Sequence, residues 1–217
     1  EFIPRGKKEA TVSGCPMKPG NMVLLSFPAA NRDPAMFPDA DKVMDLESRL
    51  LHCMVTLQGF SRADATKRVF GSGSNRSDYE ALAAWITAES KGVVMKVSLN
   101  HQKMQEAYEL GEKAFFFRGG PHDFSCATCH GEDNKRIRLQ DLPNLTQKKG
   151  AQLGYTTWPA YRVSQGELRT FQWRLNDCFR QQRFPDLVFG SELSIALTAF
   201  LAYNANGAAF NAPAIKR

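Results

Sequence analysis

No stretch of this 217-residue chain approaches the roughly eighteen consecutive apolar residues of a membrane-spanning helix. A dense basic run is missing too. The 28 Lys and Arg against 22 Asp and Glu give a net charge of +6, but they are scattered. That pattern points away from nucleic acid and towards anionic substrates or acidic protein partners. No convincing apolar–polar alternation appears, so an all-α fold is expected. Histidine is scarce, with 4 in all, and none follows His130. Methionine, with 7, stops at Met104. The first residues carry no signal-peptide pattern, and Glu1-Phe2-Ile3-Pro4 reads as a processed or recombinant start.

What is present is organised around Cys126-Ala127-Thr128-Cys129-His130. This is C-x-x-C-H, the attachment signature of a c-type haem. Two thiols three residues apart form thioethers to the haem vinyl groups, and the adjacent histidine becomes the proximal iron ligand. The competing zinc reading needs further Cys or His at close spacing. After His130 there is one cysteine and no histidine. One covalently bound haem c is therefore expected. Covalent attachment implies assembly outside the cytoplasm, and so a periplasmic protein whose precursor carried a signal.

Of 5 cysteines, the haem takes two, leaving Cys15, Cys53 and Cys178. In an oxidising compartment two of these pair and one is left over.

Residues 1–40 are rich in Pro and Gly and read as irregular. Helical periodicity follows from Asp41 to about Phe60, through Val43, Met44, Leu46, Leu50, Leu51 and Met54. A turn is expected at Ser72-Gly73-Ser74-Asn75. A second helix spans about Asp78 to Ser90, with Leu82, Trp85 and Ile86 as its apolar face and Gly92 as its stop. Further helices are predicted at 102–117, near 168–183 and near 191–204. Arg-Leu-x-x-Cys occurs twice, as Arg49-Leu50 to Cys53 and Arg174-Leu175 to Cys178, each followed by an amphipathic helix ending at Gly. The order of elements suggests a duplication. Two domains are expected: a haem-less one at 1–100 and a catalytic one at 101–217.

The sixth iron ligand cannot be the usual methionine or second histidine of the C-terminal part, since neither residue occurs there. Lys148, Lys149, Tyr155 or an open site remain, with Cys178 the obvious soft ligand. Arg174 lies one helical turn before Cys178 on the same face. There its guanidinium favours thiolate over thiol and offers a fork for an oxyanion. Arg180 and Arg183 read as solvated surface. His52, His101 and His122 read as ordinary structural or surface residues.

On Cys126-Ala127-Thr128-Cys129-His130, Arg174-x-x-x-Cys178-x-x-Gln181 and the closing Leu197-Thr198-Ala199-Phe200-Leu201 helix, the chain resembles the SoxA subunit of SoxAX cytochromes. The ending Ala212-Pro213-x-x-Lys216-Arg217 adds to the likeness. The resemblance implies two cytochrome c-like domains and an L-cysteine S-thiosulfotransferase. Such an enzyme joins thiosulfate oxidatively to a cysteine of the carrier SoxYZ and passes electrons to the SoxX cytochrome. It implies Cys178 as axial ligand and persulfide-bearing catalytic residue, with Arg174 as the substrate-side cation. Some relatives hold a second haem in the N-terminal domain. Cys15-Pro16-Met17-Lys18 is not C-x-x-C-H, so this chain resembles the single-haem type, in which Cys53 is left to bridge Cys15. The rival readings are a plain electron-transfer cytochrome, a haem-based sensor, and a thiosulfate dehydrogenase forming tetrathionate.

Overall fold

The computed structural model describes residues 10–12, 15–17, 42–66, 78–137 and 139–217. The turn expected at 72–75 and most of the stretch 1–40 lie outside them. The chain divides into a unit Glu1–Lys42 and a unit Val43–Arg217. In the first, β1 (Ala10–Val12) and β2 (Cys15–Met17) form an antiparallel hairpin with Val12 opposite Cys15.

The second unit is mainly helical. Its first helix, α1 (Leu46–Thr56), begins at Asp45, whose carboxylate accepts from the Ser48 amide at 2.9 Å. Leu51 is buried with Ala65 and Tyr79, against Leu50, Met54 and Val55. The short α2 (Arg62–Thr66) follows, then α3 (Asp78–Glu89). The buried face of α3 is Tyr79, Ala83, Ile86 and Thr87. Trp85, expected on that face, is 40% exposed, because the small alanines rather than the tryptophan permit close approach. Gly92 has a φ of +87°, a conformation that suits glycine and ends the helical run.

The chain then runs alongside the end of the molecule. Gly92 donates to the Phe210 carbonyl and Met95 to that of Ala208, both at 2.8 Å. Asn206 closes the join with both ends of its amide, accepting from the Val97 amide (2.7 Å) and donating to the Val97 carbonyl (2.8 Å).

Two long helices carry the core. α4 (Gln102–Phe116) packs along the final helix, α8 (Glu192–Asn204). Gly111 makes this possible, since a Cβ there lies 2.1 Å from the Ala196 carbonyl oxygen. Around the crossing Phe115, Leu175, Leu187, Leu197, Phe200 and Leu201 form one buried cluster. Truncating a buried phenylalanine of this kind costs about 3–5 kcal/mol.

Between these helices lie α5 (Cys126–His130), α6 (Lys148–Tyr155) and α7 (Phe171–Gln181). The hairpin of β3 (Arg136–Ile137) and β4 (Gln140–Asp141) follows α5. A three-stranded sheet completes the unit, with β5 (Ala160–Arg162) between β6 (Glu167–Arg169) and β7 (Ala214–Lys216). β5 is antiparallel to β6 and parallel to β7. The all-α expectation is thereby corrected. These strands are two or three residues long, too short to show a period of two in the sequence.

Gln172 ties the helices together from a fully buried position. Its amide nitrogen donates to Asp45, and its oxygen accepts from the Gly190 amide (2.7 Å) and the Ser194 hydroxyl (3.3 Å). Glu47 accepts from the Thr170 hydroxyl and from the main-chain amides of Phe171 and Gln172, and so sits at the start of α7.

Candidate functional site

α5 exists because Ser125 and Thr128 cap it reciprocally. The Ser125 hydroxyl accepts from the Thr128 amide (3.1 Å), and the Thr128 hydroxyl accepts from the Ser125 amide (2.9 Å). One helical turn then sets Cys126 and Cys129 apart by three residues and delivers His130 at its end. The His130 ring is held from outside the helix: its Nδ1 donates to the Pro143 carbonyl at 2.9 Å. That bond leaves Nε2 as the ring's remaining nitrogen, the arrangement of a metal-ligating imidazole. Burial holds His130 below the ordinary histidine range, with the Arg174 charge adding to the effect, so the ring is neutral as a ligand must be.

The Pro143 loop is fixed in turn. Leu145 donates from its amide to the His130 carbonyl at 2.8 Å. Asn144 is buried and donates to Asp133 at 3.0 Å. Gly150 of α6 packs so closely that a Cβ meets the Asn144 carbonyl at 1.9 Å. None of Pro143, Asn144 or Gly150 was legible as part of the site. The key group is a main-chain carbonyl, which leaves no side-chain signature.

Cys178 projects from α7 into the same region. Burial, and then the Cys178 charge, raises the thiols of both Cys126 and Cys129, so the three lie within electrostatic range of one another. Burial is the larger cause at Cys126, which is pushed up to about 12. Arg174 and Arg162 pull the Cys178 thiol down and Asp177 pushes it up, but burial outweighs them all and the thiol lies above its ordinary value. Arg174 does favour thiolate, as expected, but burial is the larger effect. A metal ion bound by Cys178 would displace the thiol proton.

Arg174 stands one turn before Cys178, as expected. It donates from Nη1 to the buried Asp177 at 2.8 Å, and Arg180 donates to the other Asp177 oxygen at 2.6 Å. Gln181 completes the set, donating to Asp177 at 2.7 Å. Asp177 therefore fixes the orientation of Arg174. Arg180 is 67% exposed, in keeping with a solvated side chain.

The alternative sixth ligands are placed elsewhere. Tyr155 is raised by burial and then by the charges of Asp45 and Glu47. Lys148 reaches towards Gly207, and Lys149 is exposed. His122 is exposed, with its ring 5.8 Å from that of Phe124. Cys53 lies half-buried on α1. The Cys15 side chain, and with it the expected Cys15–Cys53 bridge, lies outside the described residues.

A haem c fits this donor set. Two thiols on one helical turn, a neutral imidazole with one nitrogen free, and the half-buried sulfur of Cys178 belong to elements that pack on the cluster of Phe115 and Leu175, with Cys126 and Phe179 against it. Among the described residues no group of three or more His, Cys, Asp or Glu has the arrangement of a bare-metal site.

The SoxA/TsdA cytochrome c domain family matches residues 3–95. The chain is 47% identical over 214 residues to the L-cysteine S-thiosulfotransferase subunit SoxA of Hydrogenophilus thermoluteolus, covering 99% of this chain and 77% of the relative. It is 31% identical to the protein of the same name from Hydrogenobacter thermophilus, over 99% of this chain and 76% of the relative. The fold is similar to that of a chain in the crystal structure of SoxXA from P. pantotrophus, with a TM-score of 0.68 and 21% identity. That likeness covers 87% of this chain and 65% of the other. The C-x-x-C-H helix and the Arg174–Cys178 turn facing it stand in a chain of this likeness throughout its length, and the chain belongs to the SoxA family of c-type cytochromes.

Proposed function

We propose that this chain is the SoxA subunit of an L-cysteine S-thiosulfotransferase, acting with a SoxX cytochrome on thiosulfate and on a cysteine of the SoxYZ carrier in the periplasm. The observation that carries the reading is the meeting of Cys178 and Arg174 with Cys126, Cys129 and His130. The names of the relatives from Hydrogenophilus thermoluteolus and Hydrogenobacter thermophilus support it.

His130 and Cys178 would hold the haem iron, and Cys126 and Cys129 would attach the haem covalently. The haem c, when bound, supplies a one-electron acceptor next to Cys178. Arg174, aimed by Asp177, binds the anionic end of thiosulfate and turns its outer sulfur towards Cys178. Joining that sulfur to the Cys178 thiol makes one S–S bond and releases one proton and two electrons. The two electrons need two one-electron acceptors, and a SoxX cytochrome would supply the second. The carrier thiolate then attacks the sulfane sulfur, breaks its bond to Cys178 and leaves with the S–SO3 group. Thiosulfate and the carrier thiol thereby become a carrier S-thiosulfonate, a proton and two electrons.

The number of haems is proposed as one, in the domain 101–217. The match of residues 3–95 to a cytochrome c domain without a C-x-x-C-H supports a haem-less first domain at 1–100. A Cys15–Cys53 disulfide belongs to the same proposal.

Intact-mass spectrometry and peptide mapping of the holoprotein test the site. One haem, a Cys15–Cys53 bridge and a reducible gain of about 32 Da on Cys178 are expected. A disulfide engaging Cys178 with Cys15 or Cys53 overturns axial ligation. With SoxX, SoxYZ and thiosulfate, the carrier should gain one S2O3 group. Turnover to tetrathionate with no carrier present would favour the dehydrogenase instead.

A further inference from the structure

Beyond Arg174, two further cations near the catalytic helix have no role in the mechanism above: Arg162, which acts on Cys178, and Lys216, which lies within reach of Arg174 and Arg162. Arg162 ends β5 and Lys216 ends β7, and the parallel register sets them directly opposite each other. Neighbouring strands lie about 4.8 Å apart, and like charges at opposed positions repel. Their orientation follows from the alternation of the strands. Tyr161 and Ile215, one residue back, are exposed on the other face at 42% and 78%, while Ala160, two residues back from Arg162, is fully buried. Arg162 and Lys216 therefore point inward, where Lys216 lies over the Trp158 ring at 5.6 Å.

Neither residue forms an ion pair among the described residues, and the buried Nε of Arg162 has no hydrogen-bond partner. Both reach the catalytic helix electrostatically. Burial and then the Arg174 charge lower Arg162, and burial followed by Arg174 and Arg162 lowers Lys216. Cys178 in turn senses Arg162 as well as Arg174. Two carboxylates face this group: Asp177, engaged by Arg174, Arg180 and Gln181, and Glu167, opposite Arg162 in the β5–β6 register and engaged by Arg169. Both carboxylates are held by other cations, which leaves Arg162 and Lys216 without a counter-charge among the described residues. Such a cluster is kept where a ligand of opposite charge completes it.

We propose that Arg162 and Lys216 complete, with Arg174, a three-cation cradle for a doubly charged sulfoxyanion, and that this cradle selects dianions over monoanions. Arg162 supplies the unsatisfied N–H donor and Lys216 a second point charge across from it. Both are binding residues. The inference deepens the thiosulfate reading and rests on it for the identity of the substrate.

The test uses the holoprotein assembled with SoxX and SoxYZ, comparing wild type with Arg162→Gln, Lys216→Gln, Arg162→Lys and Lys216→Arg. Each glutamine variant should raise the thiosulfate KM about tenfold with kcat little changed, the mark of lost ground-state binding. The charge-keeping variants should recover most of the loss. Competitive inhibition by sulfate should weaken in parallel, while inhibition by the monoanion thiocyanate changes less. Haem absorption and thermal melting show that a variant is folded. Unchanged KM and unchanged sulfate inhibition in folded glutamine variants overturn the cradle. If wild type forms no carrier conjugate, the thiosulfate reading fails by itself. Calorimetric binding of sulfate to the wild-type holoprotein still decides the cradle in that case: binding that the glutamine variants lose supports it, and no binding overturns it.

Discussion

Arg-Leu-x-x-Cys is written twice in this chain, on α1 and on α7, and the two copies do different work. On both helices the guanidinium and the sulfur share a face one turn apart. On α7 the cysteine meets Cys126 and Cys129, and the arginine is aimed by Asp177. On α1 the arginine is buried; burial lowers its guanidinium, and Cys53, one turn on along the same helix, pulls it back up. The residues between and around the two differ: His52 and Met54 flank Cys53, whereas Asp177 precedes Cys178. A helix guarantees the spacing of two side chains. What faces them decides the chemistry.

The contrast is broken most directly at the sulfurs. Cys178→Ala should abolish transfer to the carrier, at least about a thousandfold, and shift the haem absorption, with melting changed little. Cys53→Ala should leave turnover within about twofold but lower stability by about 2–4 kcal/mol if the bridge to Cys15 is formed. A carrier-conjugation assay beside a denaturant titration separates the two. Equal loss of turnover in both would dissolve the distinction.

The arginines give the next largest difference. Arg174→Ala should reduce kcat/KM for thiosulfate about a hundredfold. Arg49→Ala should leave kcat/KM near wild type and cost about 1–3 kcal/mol of stability, since Arg49 is buried.

The smallest effect concerns pH, where α1 meets the start of α7. Burial, and then the Asp45 charge, holds Glu47 well above the ordinary glutamate range. A folded-state value above the unfolded one gives stability that is full below the ordinary glutamate range and is lost as pH rises through the folded value. Glu47→Gln should therefore flatten the decline of melting temperature from mildly acidic to alkaline pH. A parallel decline in wild type and variant would contradict this.

Much of this was written in local patterns. The predicted helices at 78–90, 102–117 and 191–204 appear at Asp78–Glu89, Gln102–Phe116 and Glu192–Asn204, because each has a long apolar period and a clear stop. The helix expected from Asp41 to about Phe60 is shorter, since Asp45 caps it later. C-x-x-C-H and the Arg174–Cys178 turn were legible because all their parts lie within one helical turn. What escaped was non-local. Arg162 and Lys216 meet through a parallel pairing of three-residue strands far apart in sequence, and nothing in either strand announces the other. The state of the Cys178 thiol escaped for a related reason. Arg174 is a neighbour in sequence, but the burial that outweighs it comes from the whole fold.

The hold on His130 has a consequence for rate. Its ring is bonded to the Pro143 carbonyl and its own carbonyl to the Leu145 amide, so one loop grips both ends of the residue. A ligand gripped in this way has little room to move when the charge beside it changes. As the proposed haem ligand, His130 would then need little rearrangement when an electron is gained or lost, which would lower the reorganisation energy of transfer.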